Sequence, residues 1–293
     1  MAATAFQGNP ALAGAKVGFF RVLRAEWVKF RTLRSTYVIL AIAVVILIGL
    51  WSLIAFGFSE AIGENDPDGD FSDFVDPLVV AIRAVGFAQL AIGVLGVTLV
   101  TNEYSTGMIR ATLAAVPTRL PVLLAKALLL VLVTMAVMVP SVFVAFFIGE
   151  AILTGSAVTH SLSDLEFIRA LVGAGLYLSL VGLLGMIFGW LLRSAAGAIF
   201  ALVGVVLLLP VILPLIPLDW VSDVVDFLPT VAGEAIYQVE VNTLMQAGMQ
   251  MLADEGMNFA SNRFDPWIGF GIFAAYIVAG LALSAWMLKR RDA

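Results

Sequence analysis

The sequence lacks cysteine and contains a single histidine, His160. Without thiols it can form neither disulfides nor thiolate metal sites, and one imidazole cannot build a site that needs two. Charged residues are also scarce, at 13% of 293 residues, whereas hydrophobic residues reach 61% with a mean hydropathy of +1.04. A soluble domain does not tolerate this balance, so the composition indicates a polytopic membrane protein.

Recognisable catalytic machinery is missing as well. The chain has neither a His-Glu-x-x-His motif nor a Gly-x-x-x-x-Gly-Lys-[Ser/Thr] phosphate loop. Its longest predicted cytoplasmic segment, residues 1–36, is too short for a nucleotide-hydrolysing domain, which needs on the order of 100 residues. The chain is therefore not expected to be an enzyme by itself. If it does driven work, its motor is a separate chain.

Six apolar runs are long enough to cross ~30 Å of hydrocarbon, which takes about 20 residues in a helix. All must be helical, because backbone groups in lipid have no water to bond. The spans are predicted at residues 37–58, 78–101, 121–148, 167–192, 195–217 and 267–288. The predicted fold is all-α, with an N-terminal segment (1–36) and a six-helix transmembrane domain (37–293).

The basic residues predict the orientation of these spans. Thirteen of the sixteen Lys and Arg fall on one side, and eighteen of the twenty-one acids fall on the other. The side rich in Lys and Arg is predicted to be cytoplasmic. Because six is an even number of spans, both termini are predicted to be cytoplasmic.

The acidic loop between the first two spans, residues 59–77, has part of a calcium-binding pattern. Asp66, Asp68 and Asp70 alternate as in an EF-hand, but Phe71 stands where that loop needs glycine. A solvated acidic loop is the preferred interpretation. No metal or cofactor site is predicted in this chain.

An amphipathic segment precedes the first span. Phe19, Leu23, Trp27 and Phe30 share one helical face, with arginines around the rest. A basic helix of this kind lies in the interface with its apolar face in the acyl boundary. Attraction to anionic lipid would explain it alone, although the segment could also share a cytoplasmic surface with a neighbouring loop.

That neighbouring loop, residues 101–121, is a short polar and helical break between two spans. Gly107 interrupts the incoming helix, and residues 108–116 can form about two turns before Pro117 and Pro121 end it and start the next span. The apolar positions on one face of these turns are Ile109, Leu113 and Val116. A docking element for a cytoplasmic motor and a plain interfacial connector fit this pattern equally well.

The last outer loop, residues 218–265, is too long to lack structure of its own. Residues 234–251 are predicted to be helical, within short re-entrant or outer-surface helices that cap the bundle. Three prolines should bend or break the fifth span before this loop: Pro210, Pro214 and Pro217. In the fourth span Gly185 and Gly189 form a small-xxx-small pair, within the chain or between chains.

Ionisable residues inside the spans are few. Lys126 lies just inside the cytoplasmic boundary, where its side chain can reach back toward water, and Arg169 is barely inside the opposite one. None is predicted at the midplane, where a charge costs at least ~2.5–3.5 kcal/mol. A proton- or sodium-coupled carrier would be expected to place an acid there.

Three segments resemble bacterial ABC transporter permeases of the type-2 exporter class, the third less specifically. They are Glu26-Trp27-x-Lys29-x-Arg31-Thr32-x-Arg34-Ser35, Glu103-Tyr104-x-x-Gly107-x-Ile109-Arg110 and Leu228-Pro229-x-x-Ala232-Gly233-x-Ala235. The six-span layout, the entry helix and the long loop before the sixth span fit the same class over the whole chain.

The resemblance implies a permease subunit that dimerises, with an identical copy or a sibling, and binds two cytoplasmic ATP-binding subunits. ATP and Mg²⁺ would belong to those subunits, and no nucleic acid is involved. The coupling contact would use Glu103, Tyr104, Gly107, Ile109 and Arg110. The bracing positions of the entry helix would be Glu26, Trp27, Lys29, Arg31 and Arg34. Independently, Glu103 at the membrane boundary can pair with a basic group of the entry helix, or serve only as an interfacial anchor.

The expected function is export of a hydrophobic or amphipathic solute, such as a drug, lipid-like compound or peptide, across a bacterial cell membrane by alternating access. The main alternative is an ATP-independent secondary transporter or channel. An intramembrane enzyme and a non-transporting anchor that only recruits the ATPase are further alternatives.

Overall fold

The computed structural model describes residues 18–65, 77–116, 118–153, 164–216, 218–239 and 264–290. These residues form helices and no strand. In chain order the helices are α1 (Phe19–Thr32), α2 (Arg34–Asn65), α3 (Pro77–Ser105), α4 (Met108–Ala115), α5 (Leu120–Ile152), α6 (Leu165–Leu192), α7 (Ala195–Val203), α8 (Leu209–Ile212), α9 (Asp219–Asp226), α10 (Pro229–Glu234) and α11 (Pro266–Arg290). The acidic loop that was weighed as a calcium site lies mostly outside the described residues.

Six helical stretches are long and apolar enough to cross a membrane, which confirms the predicted all-α fold with six spans. They are α2, α3, α5, α6, the stretch that begins with α7, and α11. Each overlaps one of the apolar runs in the sequence. The connection between α6 and α7 is only two residues long, because Ser194 caps α7 directly after Arg193 ends α6.

The fifth span is irregular, as its prolines predict. After α7 comes a π-helical turn over Gly204–Leu208, followed by α8 and a 3-10 turn over Leu213–Leu215. Proline has no N–H to donate to the carbonyl four residues back, so a regular helix cannot run through Pro210 and Pro214. The span therefore loses its regular geometry in its second half.

The centre of the bundle is the contact between α3 and α6, which is made by glycines. A Cβ atom on Gly96 would collide with the backbone of Gly182, and one on Gly185 would collide with the backbone of Gly93. Small residues allow two helices in a membrane to approach this closely. The structure thus assigns Gly185 to a contact within the chain.

The other spans are far more exposed than α3 and α6. Within the most apolar window, 67% of residues are buried for α3 and 78% for α6, against 28% for α2, 17% for the fifth span and 22% for α11. Their bare surfaces carry large apolar side chains, including Val45, Phe200 and Val278. These surfaces are suited to lipid or to another membrane subunit.

Between the fifth and sixth spans, α9 and α10 form short helices, but not where the sequence suggested. Helix α10 ends at Glu234, and Ile236 lies in a turn after it, whereas residues 234–251 were predicted to be helical. Residues 240–251 of that prediction lie outside the described part of the chain. The helix starts earlier because Pro229 suits a first helical turn.

Helix α10 packs tightly against α11, which explains the small residues of its motif. A Cβ atom on Gly233 would overlap with the ring of Phe273, and one on Gly269 would overlap with the carbonyl of Ala232. On its other side, the guanidinium of Arg169 in α6 donates to the carbonyls of Ile236 at 2.8 Å and Gln238 at 3.1 Å.

Candidate functional site

The predicted two-turn helix is present as α4. Gly107 precedes it with φ +70°, a left-handed conformation that glycine adopts without strain. Ile109, Leu113 and Val116 are buried on one face, as the pattern predicted. Pro117 lies outside the described residues, and Pro121 occupies the first turn of α5. Helix α4 thus lies at the basic end of the bundle, the end that also carries α1 and the α6–α7 connection.

Helix α1 buries a strip that includes a glutamate, while part of its predicted apolar face remains exposed. Its buried residues are Val22, Glu26 and Phe30, whereas Trp27 is 44% exposed. Trp27 stacks on Phe30, with ring centroids 6.4 Å apart, so these two side chains share a face as predicted. The buried strip contains Glu26 because the ammonium of Lys126 in α5 lies against its carboxylate.

Two glutamates and two lysines from three helices, α1, α3 and α5, meet between α1 and the bundle. The ammonium of Lys126 in α5 donates to Glu26 Oε2 at 2.6 Å and to Glu103 Oε1 at 2.7 Å. The ammonium of Lys29 in α1 donates to Glu26 Oε1 at 2.8 Å and to Glu103 Oε1 at 3.0 Å. We call Glu26, Lys29, Glu103 and Lys126 the ion cluster. The predicted pairing of Glu103 with a basic group of the entry helix is thereby observed.

The ion cluster reaches α4 through Thr112. Lys29 uses its third N–H to donate to Thr112 Oγ1 at 3.0 Å, and the Thr112 hydroxyl donates to the Met108 carbonyl at 3.2 Å. Burial by itself would lower the pKa of Lys29, but the bonds and charges of Glu26 and Glu103 outweigh it and raise the pKa above its ordinary value of 10.5. Lys29 is therefore charged at neutral pH, and it joins α1 to α3 and α4.

The cluster is electrically neutral and shielded from water. The side chains of Lys126, Glu26 and Glu103 are 3%, 4% and 5% exposed, and that of Lys29 is 24% exposed. A buried pair of this kind adds little net stability over an apolar substitute, but removal of one partner typically costs 3–5 kcal/mol. Glu103 Oε2 has no hydrogen-bond partner among the described residues. The free-energy cost of separating these charges consequently holds α1, α3 and α5, with α4 attached through Thr112, in one arrangement.

The remaining residues that the resemblance assigned to coupling lie around the cluster rather than in it. Tyr104 packs edge-on against Trp190, with ring centroids 6.0 Å apart, and Arg193 lies over its ring at 5.2 Å. Arg110 is exposed on α4. Arg31 and Arg34 of the entry segment are exposed too, as are Arg21 and Arg24. Tyr104 thus ties the end of α3 to the α6–α7 connection.

The loop after α4 is also tied to the last span. Arg119 adopts φ 56° immediately before α5, and its guanidinium donates to the Leu288 carbonyl at 2.6 Å. This bond joins residues 169 positions apart in sequence. This bond fixes the segment between α4 and α5 to the end of α11.

The sequence reasoning missed Lys126 and Thr112 as parts of the site. Lys126 does not extend to water but is fully enclosed by carboxylates. A usable signal was present: among all acids, only Glu26, Glu103 and Asp292 fall on the predicted cytoplasmic side. A lysine inside a span on that side had few possible partners, and one of them, Glu103, lies in the loop that leads into the same span.

One half-buried acid, Glu234, approaches a fully buried tyrosine of α6 from outside the six spans. Glu234, at the end of α10, lies near the hydroxyl of Tyr177 in α6, and that hydroxyl donates to the side-chain oxygen of Gln89 in α3. Tyr177 is fully buried and stands twelve residues after the start of α6, about 18 Å along it at ~1.5 Å per residue. The acid was missed because it belongs to α10, a helix outside the six spans.

The structure combines six apolar spans with a helix, α4, held at the basic end between two of them. Buried charges connect α4 to the entry helix α1. This is the arrangement of the membrane component of a transporter. Residues 22–216, about two thirds of the chain, match the family described as ABC-2 family transporter protein. The chain belongs to this family. No curated protein matches the sequence. The protein is therefore a multi-pass membrane protein of an ABC transporter, a class that works with ATP-binding partner subunits.

Proposed function

We propose that this chain is the permease subunit of an ATP-driven exporter and that α4 is the helix on which the ATP-binding subunits act. The observation that carries the proposal is the ion cluster, which fastens α4 to α1, α3 and α5. An interfacial connector without a mechanical role needs no buried charges. Buried charges that connect α4 to its neighbours are suited to a helix that transmits force.

The cluster suits force transmission because its bonds cross between helices. If α4 is displaced, the bond between Lys29 and Thr112 moves α1, and the two glutamates move with Lys29 and Lys126. Separating any member would leave a buried charge without its partner, at several kcal/mol. The cheaper response is a joint movement of all four helices, so a push at the basic end changes the arrangement of the spans.

The cycle follows from this linkage. Binding of ATP closes the two motor subunits, and their movement shifts α4 and α1 together. A partner shifts an equilibrium between two states only as far as it binds them unequally, so the motor must favour the outward-open form when ATP is bound. ATP and Mg²⁺ act in the partner subunits, and this chain binds neither.

The cargo is a hydrophobic or amphipathic solute, which leaves the cell. The poorly buried surfaces of α2 and of the fifth span support this proposal, because they offer apolar side chains to a second permease copy and to a path between the copies. We propose a dimer of two identical chains or of this chain and a sibling, with two ATP-binding subunits, in a bacterial plasma membrane with both termini cytoplasmic.

The test is ATPase coupling in the complex of the permease with its ATP-binding subunit, reconstituted in nanodiscs. Glu103→Gln keeps the shape of the side chain but removes the charge that both lysines share. We expect the complex to assemble and its ATPase rate to lose its response to the permease. Glu166→Gln, an exposed glutamate at the other end of the bundle, is the matched control. Normal ATPase coupling in an assembled Glu103→Gln complex would refute the role of the ion cluster. Uphill transport by the purified permease without nucleotide would refute the proposal that separate ATP-binding subunits drive transport.

A further inference from the structure

A cavity lies beside Arg169, at the end of the bundle opposite the ion cluster. Its volume is about 230 Å³, and its walls come from the first half of α6, the turn after α10 and the start of α11. Apart from Arg169 the lining is apolar, and it includes Leu176, Ile236 and Trp267. Ordered water needs polar partners that such a lining does not offer, whereas apolar molecules are taken up by apolar cavities. The cavity is therefore suited to a hydrocarbon chain.

The cavity follows one strip of α6. Ile168, Val172 and Leu176 follow one another at intervals of four residues and are partly exposed, on a helix that is otherwise mostly buried. Leu176 stands eleven residues after Leu165, the first residue of α6, which is about 16 Å at ~1.5 Å per residue. One leaflet of the ~30 Å hydrocarbon core is about 15 Å thick. A chain that lies along this strip therefore reaches from the membrane surface to near the middle of the bilayer.

The cavity opens toward the surroundings of the bundle at its outer end. Two of its lining residues, Leu165 and Trp267, are 84% and 65% exposed. Tryptophan is enriched at the level of the lipid headgroups, where its ring lies between apolar chains and water. The molecules that surround this opening are membrane lipids, so the membrane itself supplies an occupant.

Arg169 places a positive charge at the edge of the cavity. Its half-buried guanidinium donates to the carbonyls of Ile236 at 2.8 Å and Gln238 at 3.1 Å. These bonds use two of its five N–H groups. Among the described residues Arg169 forms no salt bridge. The two carbonyls thus hold the guanidinium in place without neutralising it, which lowers the cost of ordering it around a ligand.

Acidic residues flank the lining residues in sequence, but they do not line the cavity. Asp164, Glu166 and Asp265 are exposed, and the Asp164 carboxylate accepts the backbone N–H of Glu166 at 2.9 Å. A further acid, Glu234, is half-buried in α10. Salt and water screen exposed charges strongly and partly buried charges much less. The local charge at the edge of the cavity is therefore the positive one of Arg169.

We propose that this cavity is a phospholipid site, in which Arg169 binds the phosphate and one acyl chain lies along α6 from Leu165 to Leu176. The planar guanidinium matches phosphate oxygens and binds them through charge-assisted hydrogen bonds. The bound lipid joins α6 to the turn after α10 and to α11. This site goes beyond the proposed function and does not depend on it, because it requires neither cargo nor ATP-binding subunits.

The experiment is native mass spectrometry of the full chain in detergent, titrated with dioleoylphosphatidylglycerol or with dioleoylglycerol, which has the same chains but no phosphate. The wild type should bind the phosphate-bearing lipid about tenfold or more tightly than dioleoylglycerol. Arg169→Met should remove this preference and leave the affinity for dioleoylglycerol unchanged. Leu176→Trp keeps Arg169 but fills the cavity, so it should weaken the binding of both lipids. Leu132→Trp, at an exposed apolar position of α5 outside the cavity, should change neither.

Several results would overturn the proposal. Undiminished binding of phosphatidylglycerol to Arg169→Met would remove the phosphate contact, and an equal loss of both lipids in that variant would mean that the arginine only holds the turn after α10. Undiminished binding to Leu176→Trp would remove the chain from the cavity. Full competition by glycerol phosphate would assign the site to a free phosphate. If Arg169→Met does not fold, the headgroup preference of the wild type and the loss in Leu176→Trp relative to Leu132→Trp decide the question, and the absence of either refutes the site.

Discussion

Replacement of Lys126 by methionine tests the ion cluster most directly. Methionine fills a similar volume but has no charge, so the cluster changes from two positive and two negative groups to a net charge of −1. Lys29 still holds Glu26 Oε1 and Glu103 Oε1, while Glu26 Oε2 loses its donor. The usual cost of removing one buried partner is 3–5 kcal/mol, and because Lys29 remains we expect the lower end, about 3 kcal/mol.

The assay is thermal unfolding in detergent, followed by fluorescence-detected size exclusion. At about 2 °C per kcal/mol for a chain of this size, Lys126→Met should lower the midpoint by about 6 °C. Lys289→Met, an exposed lysine near the end of α11, should change it by less than about 1 °C.

A double variant gives the reasoning its sharpest test. Adding Glu103→Gln to Lys126→Met removes the surplus negative charge, so the pair should be less destabilised than the sum of the two single variants, by about 0.5–3 kcal/mol. Strict additivity, or a midpoint for Lys126→Met as high as that of the Lys289 control, would mean that the buried charges do not fix the four helices.

Three further predictions concern backbone and pH. Gly96→Ala should destabilise the bundle by at least about 1–3 kcal/mol, because the added methyl group meets the backbone of Gly182. Gly271→Ala is the control, since open space surrounds that position, and its midpoint of thermal unfolding should stay unchanged. Gly107→Ala should cost about 1–2 kcal/mol through its φ of +70° alone, since no atom crowds the site, and should appear as faster amide exchange across the α3–α4 corner. Folding raises the pKa of Lys29, so the stability that its charge contributes is fully present below pH 10.5 and is lost as the pH rises through the folded pKa. The difference in unfolding free energy between wild type and K29M should therefore stay constant from about pH 7 to pH 9.5 and decrease above pH 10.5. A decrease already near neutral pH would contradict this assignment.

Local patterns in the sequence were sufficient for the spans and for α4. Hydropathy over about 20 residues reports the six helices, and the i, i+4, i+7 spacing of Ile109, Leu113 and Val116 reports the face that α4 buries. Gly107 and Pro121 mark its ends because their backbone constraints act within a few residues. Each of these signals is local, and so a linear reading finds it.

Contacts between residues that are far apart in the sequence could not be predicted from such local patterns. Lys126 and Glu26 are separated by 100 positions, and Arg119 and Leu288 by 169, so no periodicity connects them. Trp27 stacks on Phe30, as the apolar pattern predicted, but that pattern did not indicate that the strip packed against α5 carries Glu26. Glu234 was predicted within re-entrant or outer-surface helices, and no local pattern indicated that it would approach Tyr177 of α6.

The sequence by itself determined that this chain is a six-helix membrane protein, since burying apolar surface and satisfying backbone groups in lipid depend on composition and short-range order alone. Only the tertiary structure decided which charges meet, because the free energy of a buried ion depends on what lies within a few ångströms of it rather than on its neighbours in the chain. That is why the link between α4 and the spans, and the acid beside Tyr177, became visible only once the helices were packed together.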